Sequence, residues 1–159
     1  MTKRSRITRL CAAIAGVTVL VLLALSFHRA NYRLLGRGHA SQLSEVPYLQ
    51  ARLGHMPVTD LEYRIVGRYR YDEALGIGSI TKQEMEEWLL AHPEGFVSRG
   101  SHPEPSYYVA IVQDELGKAR GSWSSDCWTG YSVVDPKTTL EFGYDPISET
   151  LWMYVRLDR

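Results

Sequence analysis

The feature that most constrains this chain is an uninterrupted apolar run near its N-terminus. Leu10 to Phe27 reads LCAAIAGVTVLVLLALSF, 18 residues without a charge, a proline or a strongly polar group. As a helix rising 1.5 Å per residue it would extend about 27 Å, close to the roughly 30 Å hydrocarbon core of a bilayer. A buried helix of a small domain should carry a polar stripe, and this run has none. A cleaved signal peptide is the stronger rival: the basic Thr2–Arg9 stretch suits one, and Ala24-Leu25-Ser26 offers small residues before a cleavage after Ser26. The run is longer than the ~7–15 residues usual for a signal core, however, and it ends in Phe27-His28-Arg29. The sequence therefore predicts an uncleaved transmembrane signal-anchor over residues 10–27.

Charge completes that expectation. The 159 residues hold 18 Lys+Arg and 18 Asp+Glu, but residues 1–37 contain seven basic groups and no acid. Residues 38–159 therefore carry the other 11 basic and all 18 acidic residues, a net of −7. The positive-inside tendency places the basic tail, residues 1–9, in the cytoplasm, in a single-pass inner-membrane protein with its C-terminal domain in the periplasm or exterior. Arg29, Arg33 and Arg37 follow at spacing four, which on a helix is one face, where they are expected to contact lipid phosphates.

Residues 28–58 read as a juxtamembrane linker, with a hinge at Gly36-Arg37-Gly38 and a short helix from Pro47 to Leu53 stopped by Gly54. Residues 59–159 read as the exported domain. Leu61 to Asp72 alternates apolar with charged residues, the pattern of a strand with one wet face. Gly76-Ile77-Gly78 reads as a loop, and Thr81-Lys82-Gln83-Glu84 as a capping box opening a helix to about Ala91. Residues 107–113, apolar on both faces, read as a central strand. A three-strand meander closes the chain near 130–134, 138–144 and 150–157, joined by Asp135-Pro136 and Asp145-Pro146 turns. The expected class is α+β: the N-terminal transmembrane helix, then a mostly antiparallel sheet of about five strands with one packed helix and the short helix.

No motif names a chemistry. Gly76-Ile77-Gly78 lacks the third glycine of a dinucleotide fingerprint and the Gly-Lys-Ser/Thr of a phosphate loop, so no nucleotide is expected. His92-Pro93-Glu94 and His102-Pro103-Glu104 offer imidazole and carboxylate, but without nearby cysteine or HExxH spacing no metal and no cofactor is expected. Cys127 stands beside Asp126, which would raise rather than lower a thiol pKa, and Gly121-Ser122-Trp123-Ser124-Ser125 lacks the closing glycine of a nucleophile elbow. The chain is not expected to be an enzyme, and the −7 region opposes nucleic acid.

What remains is a recognition signal. Trp123, Asp126 and Trp128 sit in a Ser/Gly-rich loop, and Trp152, Tyr154 and Arg156 alternate with Leu151, Met153, Val155 and Leu157 on what reads as the wet face of the last strand. Trp, Tyr and Arg dominate interface hot spots, so these six residues are the expected partner-binding surface. The functional expectation is a membrane-tethered, protein-binding envelope module for a partner of basic character, such as an immunity or inhibitor protein against an envelope-targeting toxin. The alternative is an accessory subunit of an inner-membrane secretion, division or cell-wall assembly, and a small envelope hydrolase ranks third.

Overall fold

The computed structural model describes residues 14–24, 26, 33–68, 70–93, 95–99, 104–116 and 123–158. The chain divides between Arg33 and Leu34 into two compact units. In the first, residues 14–24 are helical (α1), with the Thr18 hydroxyl donating to the Ile14 carbonyl at 2.9 Å. Among the described residues no helix is long and apolar enough to cross a membrane. That overturns the transmembrane segment over residues 10–27, and with it the single-pass inner-membrane location. The tail 1–9 and Arg29 lie outside the described residues.

The second unit is a seven-stranded sheet, not the five strands expected. Its strands are β1 (Arg33–Gln42), β2 (Thr59–Gly67), β3 (Tyr71–Ser79), β4 (Gly95–Arg99), β5 (Trp128–Asp135), β6 (Thr138–Asp145) and β7 (Thr150–Asp158). They lie side by side in the order β1-β2-β3-β7-β6-β5-β4, and each of the five pairings from β2 across to β4 is antiparallel. A short 3-10 turn (Leu43–Glu45) and α2 (Pro47–Leu53) join β1 to β2, α3 (Lys82–Ala91) joins β3 to β4, and α4 (Tyr107–Leu116) joins β4 to β5.

Arg33 and Arg37 are exposed on β1, in extended rather than helical backbone, and Gly36-Arg37-Gly38 is strand rather than hinge. The spacing of four still places both arginines on one face, because side chains alternate with period two. The helical face on which Arg29, Arg33 and Arg37 were expected to meet lipid phosphates is therefore not formed by Arg33 and Arg37.

The sheet is covered on both faces. Leu49 and Leu53 of α2 and Met85 and Trp88 of α3 pack into one core with Phe142 and Met153. On the other face Val109, Val112 and Leu116 of α4 pack with Leu75, Ile77 and Trp152. The side of β7 expected to be wet is therefore a second core. The stretch read as a central strand, 107–113, is the first part of the helix that covers it. Its buried positions at 109, 112 and 116 follow helical spacing, and Ser106 opens it by accepting from the Val109 amide at 3.4 Å. The Arg64 guanidinium on β2 pairs with Glu115 near its end. Gly76-Ile77-Gly78, read as a loop, is the middle of β3 between β2 and β7.

Two local signals form as written in the sequence. The Asp145 carboxylate accepts from the Ile147 amide at 2.9 Å and from the Ser148 hydroxyl at 2.6 Å, fixing the β6–β7 turn. At α3, Thr81 accepts from the Glu84 amide while the Glu84 carboxylate accepts from the Thr81 amide, the reciprocal capping box. Hydrogen bonds from the Thr81 side chain, then from its backbone, hold the Glu84 carboxyl below its ordinary pKa. A depressed carboxyl pKa contributes stability that is present above the unfolded-state value and is lost as pH falls through the folded one. Thr81→Ala is therefore expected to cost about 1 kcal/mol at neutral pH, and less once the unfolded-state carboxyl, near pH ~4.3, is protonated. Urea unfolding at about pH 7 and about pH 3 checks this, and an equal penalty at both would remove Glu84 from the cap's energetics.

Candidate functional site

On the α4 face, where α4 begins above the ends of β3 and β7, a pocket of about 280 Å³ opens. Its position follows from register. Tyr71 and Glu73 on β3 stand opposite Asp158 and Arg156 on β7, and Leu75 opposite Tyr154. Alternate residues of a strand share a face, so Tyr71, Glu73, Tyr154 and Arg156 all project toward α4. The first turn of α4 adds Tyr107 and Tyr108, and Arg68 closes the pocket from the β2–β3 turn.

The rings form a chain: Tyr107 meets Tyr108 edge-on at 5.4 Å between centroids, and Tyr108 meets Tyr154 at 4.5 Å. Aromatic pairs at such separations contribute about 0.5–1.5 kcal/mol beyond the area they bury. The Arg156 guanidinium lies 4.8 Å over the Tyr71 ring and donates through Nε to Asp158 at 3.1 Å. Arg68 donates through Nη2 to Glu73 at 2.9 Å. That hydrogen bond is the main cause raising the Arg68 pKa, against a smaller opposing effect of burial. Burial, followed by the Glu73 charge and a hydrogen bond to Glu73, pushes the Tyr154 phenol far above its ordinary value. Tyr154 is therefore a neutral hydrogen-bonding group at the back of the pocket near neutral pH. Beyond the pocket, burial also raises the Glu141 carboxyl, whose residue stands opposite Tyr154 in the β6–β7 register.

The six residues expected to bind a partner are divided among four places. Tyr154 and Arg156 line the pocket. Trp152 and Trp123 pack together in the same layer, ring centroids 5.9 Å apart, but Trp152 is 0% exposed. Trp128 begins β5 and is buried in the opposite core, edge-on to Tyr144 at 5.2 Å with the Arg99 guanidinium 4.6 Å from its ring. Asp126 is exposed in the turn before β5, its amide donating to Ser124 Oγ at 3.3 Å. Trp152 and Trp128 thus build cores rather than surface. A helix packed over the sheet leaves no wet face for the first, and the chain enters β5 with the second turned inward.

Arg68, Tyr71, Glu73, Tyr107 and Tyr108 were not singled out from the sequence. The only signal available was the density of Tyr and Arg in Arg68–Tyr71 and at Tyr107-Tyr108; their convergence depends on a strand order the sequence does not spell out.

Among the described residues the candidate catalytic and metal groups do not converge. Cys127 is buried on the α4 side, its sulfur 3.4 Å from the Ser124 amide. His92 ends α3 on the other side, stacked on Trp88 at 4.3 Å with Nδ1 2.9 Å from the Trp88 carbonyl. The sheet separates the two. Glu94 and His102 lie outside the described residues, and among the described residues no three His, Cys, Asp or Glu side chains cluster as metal ligands would.

Chemically, the pocket supplies a neutral phenol, ring faces and two guanidiniums already seated on carboxylates. Such groups stack and hydrogen-bond; none is poised as a nucleophile. No protein-family profile, curated protein or solved structure matches this chain.

Proposed function

We propose that the protein is a protein-binding module that seats a side chain of its partner in the tyrosine–arginine pocket. The observation that carries this reading is the convergence of four tyrosines and two arginines in one pocket. Tyr and Arg are over-represented among residues that dominate binding energy. Tyr107, 74% exposed, forms the accessible rim, while the buried Tyr154 and the Arg68–Glu73 pair set a floor that is already organised before a partner arrives. The −7 charge of residues 38–159 favours a basic partner by steering its approach. An inhibitor or immunity role against a basic toxin is the specific form of this proposal.

The test uses the full chain as bait with chemical crosslinking, compared with Tyr107→Ala and Arg156→Ala. Both positions are solvent-accessible, so melting temperature is expected to stay close to that of the parent protein. Retention of the specific partner is expected to fall about tenfold or more with either substitution, the loss typical of a hot-spot residue. A partner that is held equally by both variants binds elsewhere, and a bait that retains nothing specific removes the reading.

A further inference from the structure

The face of the sheet opposite α4 carries a second concavity. Helix α3 and the 54–58 loop enclose a groove of about 450 Å³ whose apolar lining includes Pro57, Trp88 and Ala91. The groove shares Gly54, His55, Pro57 and Glu84 with a neighbouring hollow of about 290 Å³ that continues past Met56 to Leu43. The two make one elongated trough, a shape suited to an extended chain rather than to a compact ligand.

Its charge is one-sided. Glu84 and Glu87 line it, and among the described residues no lysine or arginine does. Among the described residues neither carboxylate has a cationic partner: Glu84 is held by Thr81 and Glu87 by the Gln83 amide at 2.8 Å. Glu86, by contrast, faces Arg99 at 3.6 Å. The trough thus combines an apolar floor with two carboxylates whose charge is not neutralised, and this complementarity selects one class of occupant. We infer that the trough binds an extended protein segment in which lysine or arginine alternates with apolar residues. The apolar side chains cover Trp88, Pro57 and Ala91, and the cations meet Glu84 and Glu87. Because this surface lies across the sheet from the tyrosine–arginine pocket, a protein using both would hold two partner elements at once, and either site stands if the other fails.

The probe is a nine-residue peptide alternating lysine and leucine around a central proline, titrated into the isotope-labelled full-length chain and followed by amide and indole resonances. Shifts are expected at Gly54, His55, Trp88 and Ala91. Affinity is expected to fall severalfold between about 50 and about 300 mM salt. Glu87→Lys should weaken binding about fivefold or more, whereas Tyr107→Ala should leave it unchanged. Glu87→Gln, which retains the size of the side chain, separates charge from any disturbance of α3. The inference is overturned if a peptide with glutamate in place of lysine binds equally well, if about 1 mM peptide moves no trough resonance, or if Glu87→Lys has no effect. It is also overturned if trough resonances shift with protein concentration alone, which would make a second copy of the chain the occupant.

Discussion

Trp152→Ala is expected to destabilise the folded protein by about 3–5 kcal/mol, the range for deleting a buried large aromatic, and to lower the melting temperature by about 10 °C or more. Trp152 is 0% exposed and stands at the centre of the layer between β7 and α4, with Leu75, Val109 and Val112 in the same cluster. Its indole N–H is buried with no hydrogen-bond partner among the described residues, so its contribution is packing, and the partner-free donor itself has a cost. The effect should also be local. Helix α4 is held by this cluster and by the Arg64–Glu115 pair, so hydrogen exchange at residues 107–116 should accelerate more than at β6 and β7. Phe142→Ala, an equally buried deletion in the opposite core, should lower stability without selectively loosening α4. A melting shift under about 3 °C for Trp152→Ala would mean that the α4 layer is not a tightly packed core.

That residue also shows where the sequence was legible and where it was not. Signals carried by a few neighbouring residues translate directly: the Thr81–Glu84 box opens α3, Pro47 and Gly54 bracket α2, and the Asp145-Pro146 turn joins β6 to β7. Signals that depend on what lies across the sheet do not. Residues 107–113 are apolar enough to satisfy a two-sided strand, and only the continuation to Leu116 with burial at 109, 112 and 116 distinguishes a helix. That one substitution of strand for helix carries forward. With no helix assigned to cover it, the Trp152–Tyr154–Arg156 side of β7 looks wet, and Trp152 looks available. Tyr154 and Arg156 do share a face, as the alternation along β7 requires, but the face is roofed by α4 and is open only at its end. β1 and β4 were missed because neither Arg33–Gln42 nor Gly95–Arg99 alternates cleanly. Their strand character comes from their neighbours in the sheet.

The same dependence on neighbours makes Gly76 and Gly78 a discriminating pair. Both lie in β3, on the face toward α2 and α3, and neither has the positive φ that would exclude a side chain, so space alone decides the outcome. A Cβ at Gly78 would come within 2.4 Å of Val58 Cγ1 and 3.0 Å of the Thr59 carbonyl oxygen. The first is a short branched side chain that is stiff about χ1, and the second is backbone, so neither yields readily. Gly78→Ala is therefore expected to cost about 1–3 kcal/mol, the usual penalty for overpacking. A Cβ at Gly76 would meet the terminal methyl of Met153 at 2.8 Å and Leu61 Cδ1 at 3.2 Å. Methionine adapts its end group at little cost, and replacing glycine within a strand recovers about 0.5–1 kcal/mol of backbone entropy. Gly76→Ala should therefore lie within about 1 kcal/mol of the parent protein. Chemical denaturation of the two variants under identical conditions tests the ordering. Equal penalties, or the reverse order, would mean that β2 and β3 are not in the register that sets Val58 and Thr59 against Gly78. Tyr71 and Glu73 are set at the pocket by the other pairing of the same strand, β3 with β7, so the glycine pair tests the β2–β3 half of the framework without touching the site.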